Sequence, residues 1–476
     1  MTDLHLPHEP KKIALIRPNY PAHFISPQLG LGYLSAWLKQ HGYQPLLIDA
    51  LRDGLSHERV AKILRAQNIG IAGLTCLSSY YGEVVELARM LKERGVRVII
   101  GGVHPSFLPW QTLTDSGADF VVCGEGELAL LALLEGGLTG EQDGARIRGV
   151  HSLQDLHGPD EPFDKADIIN NLDDLPFPDW EQMPPASFPL APHGVLVNRF
   201  PIGAIMSSRG CPHACKFCSS TNFYEKRIRF RSPENVVAEM RLLKDQFGVR
   251  EFQFSDDNLT MKKSHVEKIC TLMLEQNINA SWSCPNGVRA DRMDDETAAL
   301  MRQAGCYYCG LGIESADDAI LRNINKRESV ATIRQAISII RRNGIECGGF
   351  FILGLPGETR ATLEKTIRFA LETGLDRAQF FLLSVLPGCE FWDELKGRFD
   401  RNFSRSIFKG VEYIPDGLTH EELLAAQGRA FRQFYLRPRI LLTMLRYIKL
   451  RQARFFLDRL LDYGVFFRRK NRTAES

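Results

Sequence analysis

Three cysteines near the middle of the chain have the spacing of a metal centre. Cys211, Cys215 and Cys218 lie in the stretch SRGCPHACKFCSS, residues 208–220, and no fourth cysteine follows nearby. A cluster of four irons held by three protein thiolates leaves one iron open for a substrate or cofactor. A structural zinc ion needs four ligands, so His213 would have to join the thiols, which crowds four ligands into eight residues. We therefore favour a [4Fe–4S] cluster over zinc and over three ordinary buried cysteines.

The cysteine stretch resembles the signature of the radical S-adenosylmethionine (SAM) superfamily. That signature is CxxxCxxC with an aromatic residue before the last cysteine, and Phe217 occupies this position. The stretch follows the predicted strand GAIMSSRG, at the carboxyl end where barrel enzymes place their chemistry. The resemblance implies that the open iron binds the amino and carboxylate groups of SAM. One electron would then cleave SAM to a 5′-deoxyadenosyl radical, which removes a hydrogen atom from an unactivated carbon.

Later predicted strands end in residues that the resemblance implies as SAM contacts. They occur in FSDDN, NGVRAD, GIES and FFILGLPGET. The Arg289 guanidinium could bind a carboxylate with two hydrogen bonds, and Gly354 and Gly357 would let the backbone approach a flat ring. Helix caps, structural ion pairs and plain turns are the alternative roles. The candidate SAM-binding residues are Phe217, Asp256, Asp257, Asn258, Arg289, Glu314 and Gly354.

The elements that must position these residues alternate between strand and helix patterns. In residues 1–135 the predicted strands are KKIALIRPN, YQPLLIDA, IGIAGLTCLSS, VRVIIGG and ADFVVCGEGE. Helices lie between them, such as SHERVAKILRAQ with Ser56 as N-cap. Five strands with short connections predict an α/β domain of flavodoxin-like, doubly wound order, which binds ligands at the carboxyl ends of its strands.

The rest of the chain predicts a second β/α domain with a helical end. Residues 136–200 are rich in Pro, Asp and Gly and are interpreted as a linker that wraps the surface. Six β/α units follow in residues 201–390, too few for a full eight-unit barrel, so we predict a partial, open (β/α)6 barrel. Residues 391–476 are predicted to form a helical C-terminal region.

A flavodoxin-like domain ahead of this barrel resembles the cobalamin-binding radical SAM enzymes. The resemblance covers nearly the whole chain and implies cobalamin contacts at the carboxyl ends of the first domain's strands. Many cobalamin domains carry D-x-H-x-x-G, which is absent here, so the lower axial ligand of cobalt stays open. His104 is a candidate for this ligand, but we favour a surface histidine that does not bind cobalt. The candidate cobalamin-binding residues are Thr75, Ser78, Ser79, Gly101, Gly102, Gly124, Glu125 and Gly126.

Composition bounds the compartment and the partners. The N-terminus has no signal-peptide pattern, and no apolar run approaches the roughly 18 residues that a membrane span needs. We therefore expect a cytoplasmic chain whose eleven cysteines are reduced, with Cys306 and Cys309 in the core. Residues 431–472 contain twelve Lys or Arg and two Asp, a local charge of about +10. We favour packing of these residues on the barrel; peripheral membrane contact is the alternative, and nucleic acid is not expected.

The function that these inferences favour is methylation of an unactivated carbon in a small-molecule substrate. One SAM would methylate cobalamin and a second would supply the radical, with an external electron donor such as flavodoxin or ferredoxin. The layout also resembles the anaerobic cyclases and the hopanoid-modifying enzymes, so oxidative cyclisation or rearrangement of a tetrapyrrole, lipid or other natural product is a second possibility. A non-catalytic cobalamin or SAM sensor is a third, although a sensor does not need an open iron.

Overall fold

The structure is a computed structural model that describes residues 12–22, 25–189, 197–400 and 410–447. The described residues form two compact units. The first contains residues 12–189 without the gap, together with Arg229–Arg231, and the second contains the others.

The first unit is built on a parallel sheet of flavodoxin-like order. Its strands are β1 Lys12–Arg17, β2 Gln44–Asp49, β3 Ile71–Thr75, β4 Arg97–Gly101 and β5 Phe120–Val122. They run β2-β1-β3-β4-β5, and every neighbouring pair among them is parallel. The order reverses between β1 and β3, which makes a crevice at their carboxyl ends. The predicted doubly wound order is therefore confirmed.

Helices connect these strands and cover the sheet. In α3 the Ser56 hydroxyl accepts a hydrogen bond from the Arg59 N–H, at 3.3 Å, so this serine caps the helix as its position predicts. The sheet core is mainly apolar, with Ile16, Leu74 and Ile100 at most 2% exposed. The helices of this unit are α1 Leu29–Gln40, α2 Ala50–Asp53, α3 His57–Ala66, α4 Tyr81–Glu93, α5 Pro109–Ser116 and α6 Gly126–Glu135.

The region 136–200, interpreted from its composition as a linker, also contributes strands. A short hairpin of β6 Glu141–Gln142 and β7 Ala145–Arg146 precedes β8 Val150–His151, which pairs antiparallel with β5 and becomes the sixth strand of the sheet. A strand of two residues carries no periodicity that a sequence pattern could show. Farther on, this region wraps α1, where the Asp179 carboxylate accepts a 2.6 Å hydrogen bond from Ser35. The predicted domain boundaries stay predictions.

The second unit contains a six-stranded parallel sheet in sequence order. Its strands are β9 Ile202–Ile205, β10 Glu251–Phe254, β11 Ser281–Val288, β12 Cys306–Glu314, β13 Glu346–Leu353 and β14 Arg377–Leu382. Each strand pairs in parallel only with its sequence neighbours, so β9 and β14 are the two edges. This is the predicted partial barrel, and the fold class is confirmed.

The two faces of the second sheet differ in burial. Phe351 and Phe380 are at most 1% exposed and stack with ring centroids 5.2 Å apart, whereas their neighbours Phe350 and Phe381 are half-buried on the opposite face. At this edge of the sheet one face is therefore sealed, and the other, which we call the inner face, is partly accessible. The helices of this unit are α7 Ser220–Phe223, α8 Pro233–Phe247, α9 Lys263–Glu275, α10 Asp295–Gln303, α11 Asp318–Asn323, α12 Val330–Arg342, α13 Arg360–Glu372, α14 Glu390–Glu394, α15 His420–Tyr435 and α16 Pro438–Tyr447.

The described part of the basic C-terminal region packs on the barrel. The Tyr447 hydroxyl donates to the Glu346 carboxylate at 2.5 Å, and the buried Arg377 guanidinium lies 5.1 Å from the Tyr447 ring. Arg437 and Arg439 donate to the carbonyls of Leu371 and Leu375. Two arginines of this region thus bind backbone of the barrel, while residues 448–476 lie outside the described residues. Among the helices that the structure describes, none combines the length and the apolar character needed to cross a membrane.

Candidate functional site

The cysteine stretch forms an irregular loop after β9. Cys211, Cys215 and Cys218 are all half-buried free thiols, and the Cys218 N–H donates to the Cys215 carbonyl at 3.1 Å. Burial raises the pKa of all three thiols, that of Cys218 to about 12. Neutral thiols bind metals poorly, so coordination to iron is the interaction that would stabilise the three thiolates here.

The spacing of the ligand atoms argues against a single metal ion. Within the described residues, three or more Cys, His, Asp or Glu ligand atoms lie mutually within 4.8 Å only at the half-exposed or exposed His57, Glu83 and Glu86. The thiols of the loop, with or without His213, are therefore too dispersed for one zinc ion, whose ligands lie within roughly 4 Å of one another because Zn–S bonds are about 2.3 Å long. A [4Fe–4S] cluster binds each thiolate to a different iron, so it suits a wider set.

Charged side chains from the ends of two later strands, and one from the connection between α11 and α12, lie near the loop. Arg289 and Lys326 are each 5% exposed, and Glu314 is 6% exposed. The Lys326 ammonium lies 3.0 Å from the Glu314 carboxylate, and Arg289 donates to Asp291 at 3.1 Å. The pKa of Cys215 is raised by burial and lowered by the positive charges of Lys326 and Arg289. The structure thus places Arg289 and Glu314 beside the cysteines, and it adds Lys326.

Asp256, Asp257 and Asn258, which follow β10, have different surroundings. The Asp256 carboxylate is buried and accepts hydrogen bonds from the hydroxyls of Ser207 and Ser208 at 2.7 and 2.5 Å. These serines precede the cysteine loop, so Asp256 fixes the start of the loop. Asn258 is 1% exposed and contacts Thr260 and Met261. Asp257 is exposed, and its charge raises the pKa of Cys211 and Cys218 further than burial already does.

The turn after β13 is held by a residue that sequence reasoning missed. Gly354 has a φ of +87°, in the left-handed region that favours glycine. Its N–H donates to the Glu358 carboxylate at 2.7 Å, and the Leu355 N–H donates at 3.1 Å. Burial raises the pKa of Glu358 to about 7. Because Glu358 is five residues beyond the strand, only its place in the GLPGET turn could have signalled this role.

The first unit gathers its candidate residues along one edge of the sheet. Thr75 ends β3, and Ser78 and Ser79 follow it; Gly101 ends β4, and Gly102 follows it; Gly124 follows β5. The Ser106 hydroxyl donates to the Gly102 carbonyl at 2.7 Å and accepts from the Gly124 N–H at 2.7 Å. This serine, which sequence reasoning missed, therefore ties the ends of β4 and β5 together.

Glu125, His104 and Ser78 at this edge have partners that the sequence did not reveal. Glu125 pairs with Arg229, a residue of the same unit. His104 is fully buried and not on the surface, and its Nδ1 lies 2.9 Å from the Ser78 hydroxyl. Burial lowers the pKa of His104 to about 3, so the imidazole is neutral. Beside this edge, at the reversal between β1 and β3, the rings of Tyr20 and Tyr80 stack 4.4 Å apart.

Comparisons with known proteins match both units. The family model for the B12 binding domain matches residues 21–134, and the model for the radical SAM superfamily matches residues 205–370. An anaerobic magnesium-protoporphyrin IX monomethyl ester cyclase of Cereibacter sphaeroides is 30% identical over 90% of this chain and 70% of that protein.

The chain belongs to the cobalamin-binding radical SAM enzymes.

Other members of this family cover the chain almost from end to end. An uncharacterised methyltransferase of Pyrococcus horikoshii is 29% identical over 87% of this chain and 89% of that protein. The methyltransferase TsrM of Kitasatospora setae, solved with cobalamin and a [4Fe–4S] cluster, has the same fold, with a TM-score of 0.71, 16% identity and 90% of each chain covered. In another structure TsrM holds tryptophan and a SAM analogue.

The cofactors of this radical SAM enzyme are a [4Fe–4S] cluster, SAM and cobalamin, as the sequence predicts. The donor set fits them, since three dispersed thiols suit the cluster, and an added Cβ at Gly101 would meet Val122 no closer than 3.9 Å, so another group can approach the backbone there. The individual contacts to SAM and cobalamin stay predictions.

We predict that changing Cys211, Cys215 and Cys218 to Ala removes the cluster without unfolding the chain. Anaerobically reconstituted wild type should contain about four irons and four sulfides, and the triple variant should contain neither. Iron and sulfide assays measure this, and circular dichroism checks the fold. Replacing Cys306, a core cysteine, by Ala is the control and should leave the iron content unchanged. Stoichiometric zinc in the wild type, without a visible chromophore, would contradict the cluster.

Two neighbouring glycines of the cobalamin edge should respond differently to a methyl group. Gly102 has a φ of +112°, and a Cβ there would lie 2.6 Å from the Cys76 carbonyl oxygen. We expect Gly102→Ala to lower the free energy of unfolding by about 2–4 kcal/mol. Gly101→Ala meets only Val122 at 3.9 Å, so it should fold normally and retain less cobalamin in gel filtration. Unchanged cobalamin retention in Gly101→Ala would remove Gly101 from the predicted contacts.

Proposed function

We propose that this enzyme methylates an unactivated carbon of a small-molecule substrate. The observation that carries the proposal is the match to the Pyrococcus horikoshii methyltransferase, which spans 87% of this chain and 89% of that protein. Both units are therefore shared with a relative named for methyl transfer. When bound, SAM and the cluster supply the hydrogen-abstracting radical and cobalamin supplies the methyl group.

The residues of the chain contribute binding, orientation and charge. Cys211, Cys215 and Cys218 hold the cluster, and Asp256 positions the start of their loop through Ser207 and Ser208. We assign Arg289 to the carboxylate of SAM, because a guanidinium binds a carboxylate with two hydrogen bonds. Its present partners are the carboxylates of Asp291 at 3.1 Å and Glu328 at 3.8 Å, and the five N–H donors of a guanidinium leave donors for a further carboxylate.

The inner face of the partial barrel is the proposed substrate surface. Strand register places Phe350 opposite Gln379, and both Phe350 and Phe381 are half-buried, with ring centroids 6.4 Å apart. A half-buried aromatic pair beside an uncharged polar side chain suits a largely apolar substrate. Such a molecule contains the unactivated C–H bonds that radical chemistry requires.

Oxidative cyclisation is the second candidate. The observation that favours it is the 30% identity to the Cereibacter sphaeroides cyclase over 90% of this chain. That protein is longer, since the match covers only 70% of it. We therefore rank cyclisation below methyl transfer.

The ratio of two SAM products distinguishes the two reactions. Methyl transfer consumes one SAM as methyl donor, which leaves S-adenosylhomocysteine, and a second as radical source, which leaves 5′-deoxyadenosine. We expect near-equal amounts of both when reduced, cobalamin-loaded enzyme is given SAM and an apolar extract from the source cells, measured by liquid chromatography and mass spectrometry. Label from SAM carrying a deuterated methyl group should appear in one product.

The control for this assay is Cys215→Ala, which should still bind cobalamin but form no 5′-deoxyadenosine. A substrate-dependent rise in 5′-deoxyadenosine without S-adenosylhomocysteine would contradict methyl transfer and favour cyclisation.

An external electron carrier, such as a flavodoxin or ferredoxin, is our proposal for the reductant. Support comes from the half-buried state of the cysteine loop, which leaves the cluster within reach of a docked protein. Dithionite replaces this carrier in the experiments above.

We propose further that the described C-terminal helices are part of the barrel and not a membrane anchor. The Tyr447–Glu346 hydrogen bond and the bonds from Arg437 and Arg439 to barrel carbonyls support this. Leu436, Leu441 and Leu442 are nevertheless exposed.

We predict that the protein does not sediment with anionic vesicles of phosphatidylglycerol and phosphatidylcholine at low salt. A bound basic helix would gain about 1 kcal/mol per basic residue near such a surface, so binding would be easy to detect. Deleting residues 448–476 should leave the cluster intact. Salt-sensitive sedimentation that this deletion abolishes would contradict packing alone and favour a membrane-derived substrate.

A further inference from the structure

The connection between α11 and α12 lies against the cysteine loop. The Lys216 N–H donates to the Ile324 carbonyl at 3.1 Å, and the Asn325 amide donates to the Ala214 carbonyl at 2.7 Å. Asn325 has a φ of +54°, in the left-handed region that asparagine tolerates better than most non-glycine residues. The connection and the loop are therefore fixed to each other on both sides of Cys215.

Lys326 directly follows Asn325, and its charged side chain is buried. Its ammonium lies 3.0 Å from Glu314 and 3.7 Å from Glu328, and its side chain is 6% exposed. A Cβ at Gly312 would lie 2.9 Å from the ammonium and 2.7 Å from the Glu314 carboxylate. Glycine at position 312 therefore leaves the space that the pair occupies.

We propose that Lys326 raises the reduction potential of the cluster. One-electron reduction adds a negative charge to the cluster, and a buried cation beside one of its ligands stabilises that charge with little screening by water. The proposal rests on the cluster alone and not on the identity of the substrate or on methyl transfer.

A second lysine provides a matched control. Lys216 is adjacent to Cys215 in sequence, but its ammonium pairs with Glu394 at 2.5 Å and Glu390 at 3.4 Å. Its positive charge is therefore paired with two carboxylates of α14, and its side chain is partly exposed to water. Lys216 is thus the lysine adjacent to Cys215 in sequence, whereas Lys326 is the lysine whose buried charge acts on Cys215.

The test is an EPR-monitored redox titration of reconstituted enzyme without SAM, using dithionite and mediator dyes. In Lys326→Met the ratio of reduced to oxidised cluster at a fixed potential should fall at least tenfold, which for a one-electron couple is about 59 mV. Lys326→Arg keeps the charge and should restore the wild-type ratio. Lys216→Met should change the ratio by less than about threefold, because an exposed charge is screened.

Equal potentials for Lys326→Met, Lys216→Met and wild type would overturn the proposal. If Lys326→Met takes up no iron, Glu328→Gln decides, because removing a buried negative charge beside Lys326 should raise the reduced fraction; no rise would overturn the proposal. A wild type without iron would overturn the cluster and this proposal together. Failure of methyl transfer does not enter the measurement, which needs neither SAM nor substrate, so the two failures are distinguishable.

Discussion

The active centre depends on how the irregular loop that carries the three cysteines is held by contacts with other segments of the chain. Its start is fixed by the buried Asp256, which accepts from Ser207 and Ser208. Its middle is fixed by Ile324 and Asn325, which contact Lys216 and Ala214. One anchor follows the end of β10 and the other lies in the connection between α11 and α12, so the position of the loop depends on packing between segments that are far apart in sequence.

Burial of charge around this loop has a thermodynamic consequence. Raising the pKa of three thiols means that the protein without metal disfavours their ionisation, and iron coordination must supply the difference. Lys326 and Arg289 reduce that cost, while Asp257 and Glu314 add to it.

In the first unit, the sheet edge with the predicted cobalamin contacts presents mainly backbone and small side chains. Gly102 allows β4 to turn directly against Cys76, and Ser106 joins that turn to the end of β5. The edge is thus built from backbone and small side chains. Its larger groups are engaged within the protein: His104 with Ser78, and Glu125 with Arg229.

The sequence by itself determined the two α/β units, the order of their strands and the cysteine set, because strand periodicity, helix caps and ligand spacing are local properties of the chain. It also located Arg289 and Glu314, since both follow predicted strands. Lys326, Glu358 and Ser106 were decided only by the tertiary structure, because each acts through a contact made in a turn or connection without periodicity. The same holds for β8, whose two residues pair with a distant strand, and for Asp256, whose position predicted a ligand contact while its burial directs it to two serines. Local pattern fixes which residues reach the carboxyl edge of a sheet, but the partners that they find there depend on packing between segments far apart in sequence.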